Sequence, residues 1–353
     1  CYYVDQAVSC GIPGDMCTLP LTEVGVAVEG EYPDIGNFWM TTNNPCDANM
    51  MDNSAMYRAL SNNGQKAVHP LTTPLMYDDP TTKELGVHEI ESAIDFMEKQ
   101  FGRKFDWDAF IRHCEATNQV NREEMERWDI YCKTDNGCLN AICQGMYRIY
   151  FYQQGGTKYF AKSSAKTLKL MYECVEKNIK PFPNTRHRAL AWSCGSTYYC
   201  HGVGWLYNCW GILAVINMDS LTGHNLIDTE DRETMMEDLA DWYSHTPMRT
   251  HTVGGNRHIM QMWETAEKFN CDTIIMYDDI GCKGMAGAQG LLEEEFAKHR
   301  DKFHIIWMPH SLMDCRIVPT NEARRAVNQY MTDVLHEDPV DPSLVDFDDT
   351  LGW

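Results

Sequence analysis

A strand, a glycine-punctuated loop and a helix lie in succession around residues 273–287, and this unit constrains the fold more than any other feature. Thr273 to Tyr277 are apolar or β-prone and predict a buried strand, which Asp278 to Gly281 interrupt. The helical run Gln289 to Lys298 follows. Cys282 therefore lies just after the carboxyl end of a strand, where open α/β sheets hold their ligands.

A second unit of the same construction occurs near the start of the chain. Phe38 to Thr42 predict a short strand, Met51 to Leu60 a helix, and Ala67 to Leu71 the next strand. The loop Asn43 to Ala48 connects the first strand to the helix. Cys46 lies in this loop, so it follows the first strand as Cys282 follows the later one.

Chain length and the alternation of segments predict the domain organisation. A chain of 353 residues is too long for one ordinary core and suggests two domains of roughly 150 residues each. After Pro181 and Pro183, strand and helix patterns alternate, which favours a parallel, doubly wound sheet. We therefore predict an α/β protein with two doubly wound parallel-sheet domains, flavodoxin- or Rossmann-like, and a helical segment between them. The predicted N-terminal domain is residues 1–85, which contain Cys17 and Cys46, and the predicted C-terminal domain is residues 184–337, which contain Cys282. Residues 86–183 are the helical segment between them, and residues 338–353 are an acidic extended tail that lies on a partner or in solvent.

Charge and hydropathy exclude two classes of partner. A formal net charge of −21 argues against broad contact with a phosphate backbone, so we expect no nucleic acid. The longest apolar stretch, Val203 to Met218, contains Tyr207, Asn208 and Asn217 and falls short of a membrane span, so we expect no membrane association.

The cysteines indicate a reducing compartment. The chain has 15, an odd and scattered set without a CxxC motif, which disfavours zinc ribbons, c-type haem and a disulfide framework. We therefore predict a cytoplasmic protein of an anaerobe, where thiols persist. The sequence begins at Cys1, in the middle of a pattern, and we expect that an N-terminal segment precedes it.

Three cysteines are candidate ligands because each falls at the end of a predicted element. Asp15 is predicted to cap a helix from Met16 to Val28, which places Cys17 in its first turn, where the positive helix end favours thiolate. Together with Cys46 and Cys282, this thiol suits an iron–sulfur cluster, with one iron left open for substrate. From spacing alone, inert thiols buried in the core remain the alternative.

The motifs resemble the activator-dependent 2-hydroxyacyl-CoA dehydratases and benzoyl-CoA reductases over nearly the whole chain. The runs that carry the resemblance are GIPGDMC, NNPCDAN, IIMYDDIGCKG and MPHSLMDCRIVPTNEARRAVNQYM. The WDAF…ERWD…YRIYFYQQGG stretch and the strand RHRALAW are similar to the smaller, β-type dehydratase subunit. Near the end, the chain keeps Asp314 and Arg316 of the family's Asp-x-Arg element but lacks the acidic residue that commonly precedes it.

The resemblance implies a cofactor, a reaction and partners. It implies a [4Fe–4S] cluster held by Cys17, Cys46 and Cys282, with Cys10 as the competing first ligand; Asp15, two residues before Cys17, favours Cys17. The implied reaction removes water from a (R)-2-hydroxyacyl-CoA through a ketyl radical anion and gives the (E)-2-enoyl-CoA. The implied partners are a larger homologous subunit, in a heterodimer, and a transient ATP-hydrolysing iron–sulfur activator. The chain itself has no GxxxxGK[ST] loop for a nucleotide.

Other functions and roles remain open at this point. The alternatives are a benzoyl-CoA reductase-type subunit, an electron-transfer subunit and a double-cubane cluster homologue without a CoA substrate. Glycines around Cys282 let backbone amides approach an anion or the cluster sulfides, or simply form the turn at a helix start. These glycines are Gly281, Gly284, Gly287 and Gly290. The histidines considered as proton carriers, none of them assigned as the base, are His201, His224, His251, His258 and His310.

Overall fold

Two parallel sheets and the helices around them form the part of the chain that the computed structural model describes. The described residues are 1–32, 38–42, 46–62, 67–72, 79–136, 154–193, 195, 202–221, 225–244 and 256–347. The strands are β1 (Phe38–Thr42), β2 (Ala67–Leu71), β3 (His187–Trp192), β4 (Ile212–Asn217), β5 (Thr273–Asp279) and β6 (His304–His310). The helices are α1 (Tyr2–Ser9), α2 (Thr18–Val28), α3 (Asp47–Asn62), α4 (Pro80–Phe101), α5 (Trp107–Lys133), α6 (Lys158–Glu176), α7 (Gly202–Trp210), α8 (Arg232–Ser244), α9 (Asn256–Lys268), α10 (Lys283–Lys298) and α11 (Thr320–Gln329).

The N-terminal lobe, residues 1–72, is built on the two-stranded sheet. Strands β1 and β2 pair in parallel, with Phe38 opposite Ala67. Leu21 on α2 and Met56 and Leu60 on α3 are almost completely buried in the apolar cluster of this lobe. The two helices that follow Cys17 and Cys46 in the sequence are therefore held together by one small core.

The C-terminal lobe contains a four-stranded parallel sheet in the order β4-β3-β5-β6. The chain runs outward from β3 to β4 and then returns past β3 to β5, so the strand order reverses between β3 and β5. Helices α9 and α10 cover one face of this sheet, and α7 and α11 cover the other. The prediction of an α/β fold with a doubly wound parallel sheet is confirmed, while the division into separate domains stays a prediction.

The predicted strands form because their side chains are buried on both faces. Leu190 on β3 and Ile274 on β5 face one side of the sheet, Ala189 and Ile275 face the other, and all four have no exposed surface. Central strands of parallel sheets are covered by helices on both sides and therefore consist of nearly continuous apolar runs. The helical segment adds to the same core, since α5 and α6 contribute apolar side chains to it.

The C-terminal tail differs from the prediction of an arm on a partner or in solvent. As far as Phe347, the last described residue, the tail packs on its own lobe. Trp205 Nε1 donates to the carbonyl of Leu344 at 2.8 Å, and Asn328 Nδ2 donates to the carbonyl of Val345 at 2.9 Å. Charge and proline content predicted an extended segment, but they did not reveal these side-chain donors on α7 and α11. Among the helices of the described ranges, none is both long and apolar enough to cross a membrane.

Candidate functional site

The three candidate cysteines stand at the amino ends of three helices. The main-chain carbonyls of Cys17, Cys46 and Cys282 accept hydrogen bonds from the N–H groups of residues 21, 50 and 286, at 3.5, 3.3 and 2.9 Å. Each cysteine therefore immediately precedes the first turn of α2, α3 or α10. The positive end of a helix stabilises a nearby negative charge, so each helix end would offset part of the charge of a thiolate formed beside it.

The start of α2 corrects one prediction. The helix begins at Thr18 and not at Met16, and Cys17 takes the N-cap position. The Asp15 carboxylate does not cap this helix, because it accepts a hydrogen bond from Lys283 Nζ at 2.7 Å. The Asp15 carboxylate, which the local sequence pattern predicted to cap α2, thus forms an ion pair with a lysine of the other lobe instead.

The Cys17 thiol packs on the same apolar cluster as Cys46, and the Cys17 backbone lies against Gly281, the residue before Cys282. Burial, followed by the negative charge of Asp279 and smaller effects of Cys46 and Cys282, raises the pKa of Cys17. The Cys17 thiol donates to Asp279 Oδ2 at 3.7 Å, and the Cys46 thiol donates to Asn49 Oδ1 at 3.7 Å. The structure therefore brings together two cysteines from the N-terminal lobe and one that follows β5.

Contacts between the lobes hold this arrangement. Thr18 Oγ1 lies 3.1 Å from Ser311 Oγ and accepts from the Met313 N–H at 2.8 Å. Thr18 is 1 % exposed, so this contact is inaccessible to water. It fixes the first turn of α2 against the segment that follows β6. Because β5 and β6 are parallel, this segment and Cys282 both lie at the edge of the sheet formed by the carboxyl ends of the strands.

The Asp-x-Arg element near the end of the chain forms a second contact between the lobes. Arg316 Nη2 donates to Asp314 Oδ2 at 2.6 Å and to Asp5 Oδ1, on α1, at 2.9 Å. The hydrogen bond from Arg316 lowers the pKa of the buried Asp314. This element therefore joins the segment after β6 to the first helix.

Three thiols are the donor type of an iron–sulfur cluster. In the described part of the chain, no group of three His, Cys, Asp or Glu side chains could hold one metal ion. The cysteine ligands of a multi-iron cluster bind different irons and so surround a volume instead of meeting at one point. The three cysteines are half-buried at three helix ends, and thiolate is the ligand type that such clusters select.

The other predicted candidates lie apart or have other roles. Cys10 is exposed at the carboxyl end of α1, unlike the half-buried Cys17. His258 is buried and accepts from Trp192 Nε1 at 2.7 Å. His310, the last residue of β6, is also buried. The candidates outside the described residues are Asn43 to Pro45 of the first loop, His201, His224 and His251.

Two acidic side chains join the helices that carry Cys17 and Cys46. Asp52, on α3, is 6 % exposed and hydrogen-bonds to Glu23 on α2. Tyr32 Oη donates to Glu23 Oε1 at 3.0 Å. Burial and then the negative charge of Glu23 raise the pKa of Asp52 to about 8. Asp52 therefore keeps its proton in the folded protein at neutral pH.

We expect the protein to lose stability as the pH rises from 5 to 8. In this range the folded state holds a proton on Asp52 that the unfolded chain has already released, because the ordinary pKa is about 3.9. Asp52→Asn should remove this dependence and raise the free energy of unfolding at pH 8 by on the order of 2 kcal/mol. Urea unfolding at pH 5 and pH 8 measures both effects. Asp95→Asn, at an exposed position on α4, is the control, and equal pH slopes in wild type and Asp52→Asn would contradict the prediction.

Fold and site together define an α/β protein that gathers three thiols beside the carboxyl end of a parallel sheet. The model of one protein family, described as 2-hydroxyglutaryl-CoA dehydratase, D-component, matches residues 2–309, which include all three cysteines and every strand except for the last residue of β6. The chain belongs to this family. It is a component of a 2-hydroxyacyl-CoA dehydratase, a complex of more than one part. Among curated proteins, no match to the chain was found.

Proposed function

We propose that the chain is the iron–sulfur subunit of a 2-hydroxyacyl-CoA dehydratase, a hydro-lyase that converts a (R)-2-hydroxyacyl-CoA to the (E)-2-enoyl-CoA. The family match supports the reaction class. The observation that carries the iron–sulfur role is the position of Cys17, Cys46 and Cys282 at three neighbouring helix ends. The substrate chosen for the test, (R)-2-hydroxyglutaryl-CoA, follows the family description.

In this proposal Cys17, Cys46 and Cys282 hold a [4Fe–4S] cluster, and one iron has no protein ligand. When bound, the cluster would lend a single low-potential electron to the thioester and take it back after elimination through a ketyl radical anion, so that the dehydration is redox-neutral overall. The amino ends of the three helices that follow these cysteines would offset part of the negative charge that three thiolates bring together. Each thiol must lose its proton to act as a ligand. Burial and the charge of Asp279 oppose this loss at Cys17, and the helix amino ends offset part of that effect.

The surrounding residues keep the thiols in place and limit the access of water. Asp279 is 3 % exposed at the end of β5 and contacts the Cys17 thiol. The buried contact between Thr18 and Ser311 holds the N-terminal lobe against the C-terminal one. A partly enclosed site with a low local dielectric strengthens every charge interaction within it.

The partners proposed are a larger homologous subunit, with which this chain forms a heterodimer as the β-type half, and a separate ATP-hydrolysing iron–sulfur activator. The absence of a GxxxxGK[ST] loop in the sequence is consistent with an activator on another chain. The 15 cysteines agree with a reducing cytoplasm.

The test combines an assay with an iron count on the complex purified without oxygen. With activator, ATP and a reductant, we expect turnover of (R)-2-hydroxyglutaryl-CoA and about four irons per chain, as a single cubane cluster requires. Turnover of benzoyl-CoA alone would replace the proposal by a reductase. About eight irons per chain without turnover of a CoA thioester would replace it by a double-cubane cluster protein.

A further inference from the structure

We propose that Gly281 and Asp279 are positioning residues that set the separation of the Cys17 and Cys282 thiols. Cys17 and Cys282 come from different lobes, so no single element fixes their distance. The turn between β5 and α10 does so, because it contacts the backbone of one cysteine and carries the other.

Gly281 permits an approach that no other residue allows. A Cβ at this position would lie 2.8 Å from the carbonyl oxygen of Met16 and 2.9 Å from Cα of Cys17. Both are backbone atoms and cannot rotate away, so a methyl group here must push the two lobes apart. The φ angle of Gly281 lies outside the left-handed region, so the close approach, and not the backbone conformation, requires glycine.

Asp279 fixes the same turn from its buried side chain. Its Oδ1 accepts from the Gly281 N–H at 3.0 Å, and its backbone carbonyl accepts from the Cys282 N–H at 2.9 Å. Its Oδ2 accepts a hydrogen bond from the Cys17 thiol at 3.7 Å. One carboxylate therefore holds the turn with one oxygen and faces the opposite cysteine with the other.

The turn is also attached to the neighbouring strand. The Ile280 N–H donates to the carbonyl of His310, at the end of β6, at 3.3 Å. The turn is consequently fixed to the sheet on one side and contacts Cys17 on the other. A change at Gly281 or Asp279 should then alter the distance between the two sulfurs while leaving the sheet intact.

The experiment measures thiol proximity in the full-length, reduced, metal-free chain. Dibromobimane bridges two neighbouring thiols by losing two bromides, and mass spectrometry of the digest quantifies the bridged peptides of Cys17 and Cys282. Gly281→Ala should lower the yield of this bridge by about fivefold or more. Gly287→Ala is the matched control, since its new Cβ meets nothing within 4 Å, and it should bridge as wild type does.

Asp279 is tested by a conservative and a truncating variant. Asp279→Asn keeps an oxygen that can accept from Gly281, so its bridge yield should stay near wild type, whereas Asp279→Ala should lose the bridge as Gly281→Ala does. Far-ultraviolet circular dichroism and melting confirm that each variant is folded; if Gly281→Ala does not fold, the Asp279 pair decides. Wild-type yields in both Gly281→Ala and Asp279→Ala would overturn the proposal, and equal losses in Asn and Ala would overturn the role of Asp279.

Only the consequence for iron binding depends on the proposed function. If wild type binds iron, Gly281→Ala should retain less of it than Gly287→Ala, which supports the positioning role. If wild type binds no iron and the bridge still depends on Gly281, the positioning role stands and the proposed function fails. If wild type binds iron and the variants bridge normally, the positioning role fails and the proposed function stands.

Discussion

Replacement of Cys17, Cys46 or Cys282 by alanine should remove most of the bound iron and reduce dehydration to background. Each sulfur lies at the amino end of a different helix, so none of the three can be replaced by a neighbour on the same element. With two thiolates left, two irons of a cubane cluster would lack a protein ligand instead of one, and the cluster would be lost during purification. The measurements are iron per chain, the visible absorbance and turnover with activator, ATP and reductant.

Cys10→Ala is the control for this prediction. Cys10 competes with Cys17 as the first ligand in the sequence, but it is exposed at the end of α1 and is not next to a helix amino end. We expect Cys10→Ala to keep wild-type iron and activity. Loss of iron in Cys10→Ala together with retention in Cys17→Ala would contradict the assignment of the first ligand.

The three cysteine variants should remain folded. All three side chains are half-buried at the surface of apolar clusters and not inside them. Truncation of such a side chain costs about 1 kcal/mol of stability, well below the stability of an ordinary domain. An unchanged melting transition in the metal-free proteins would show that lost iron reflects lost ligands.

The elements around the site could be predicted because their signals are local. The strand predicted at Thr273–Tyr277 is observed at Thr273–Asp279, since a continuous apolar run forms a strand that is buried on both faces. The predictions that Cys46 and Cys282 follow strands and precede helices are confirmed for the same reason. Whether these cysteines bind iron stays a prediction.

The contacts that join the lobes could not be predicted from the sequence. Asp15 fits a local capping pattern, yet its partner is Lys283, and nothing in the periodicity of either segment indicates this pair. Gly281 had a visible signal as one of several glycines near a cysteine, but its neighbour, the backbone of Cys17, becomes evident only in three dimensions. Distant contacts depend on how the elements pack, and a pattern in one segment contains no information about the other.

Arg188, at the start of β3, forms contacts with residues that are distant in the sequence. Its guanidinium joins the helical segment to the C-terminal lobe. Its Nη2 donates to the carbonyl of Tyr131 on α5 at 2.6 Å and to that of Phe269 after α9 at 2.9 Å. The same guanidinium forms an ion pair with Asp135 and donates to the carbonyl of Asn270. Two helices thus direct their negative carboxyl ends at one cation.

Arg188→Met should lower the free energy of unfolding by about 3 kcal/mol, because it leaves a carboxylate and three carbonyls without their donor. Arg188→Lys should recover only part of this loss, since an ammonium group cannot reach all four acceptors. Arg325→Met is the control: Arg325 forms an exposed ion pair with Glu322 inside α11, and its loss should cost less than about 0.5 kcal/mol. Urea unfolding followed by tryptophan fluorescence and by circular dichroism measures these changes.

The shape of the same transitions tests the predicted boundary at residue 183. Arg188 holds α5, from the predicted helical segment, against β3 and α9, from the predicted C-terminal domain. If these parts unfold as one unit, both probes will report a single transition that Arg188→Met moves to lower urea without changing its slope. Separate transitions for the two probes, with only one of them moved by the substitution, would show that the segments are independent and that the contact at Arg188 contributes little to either.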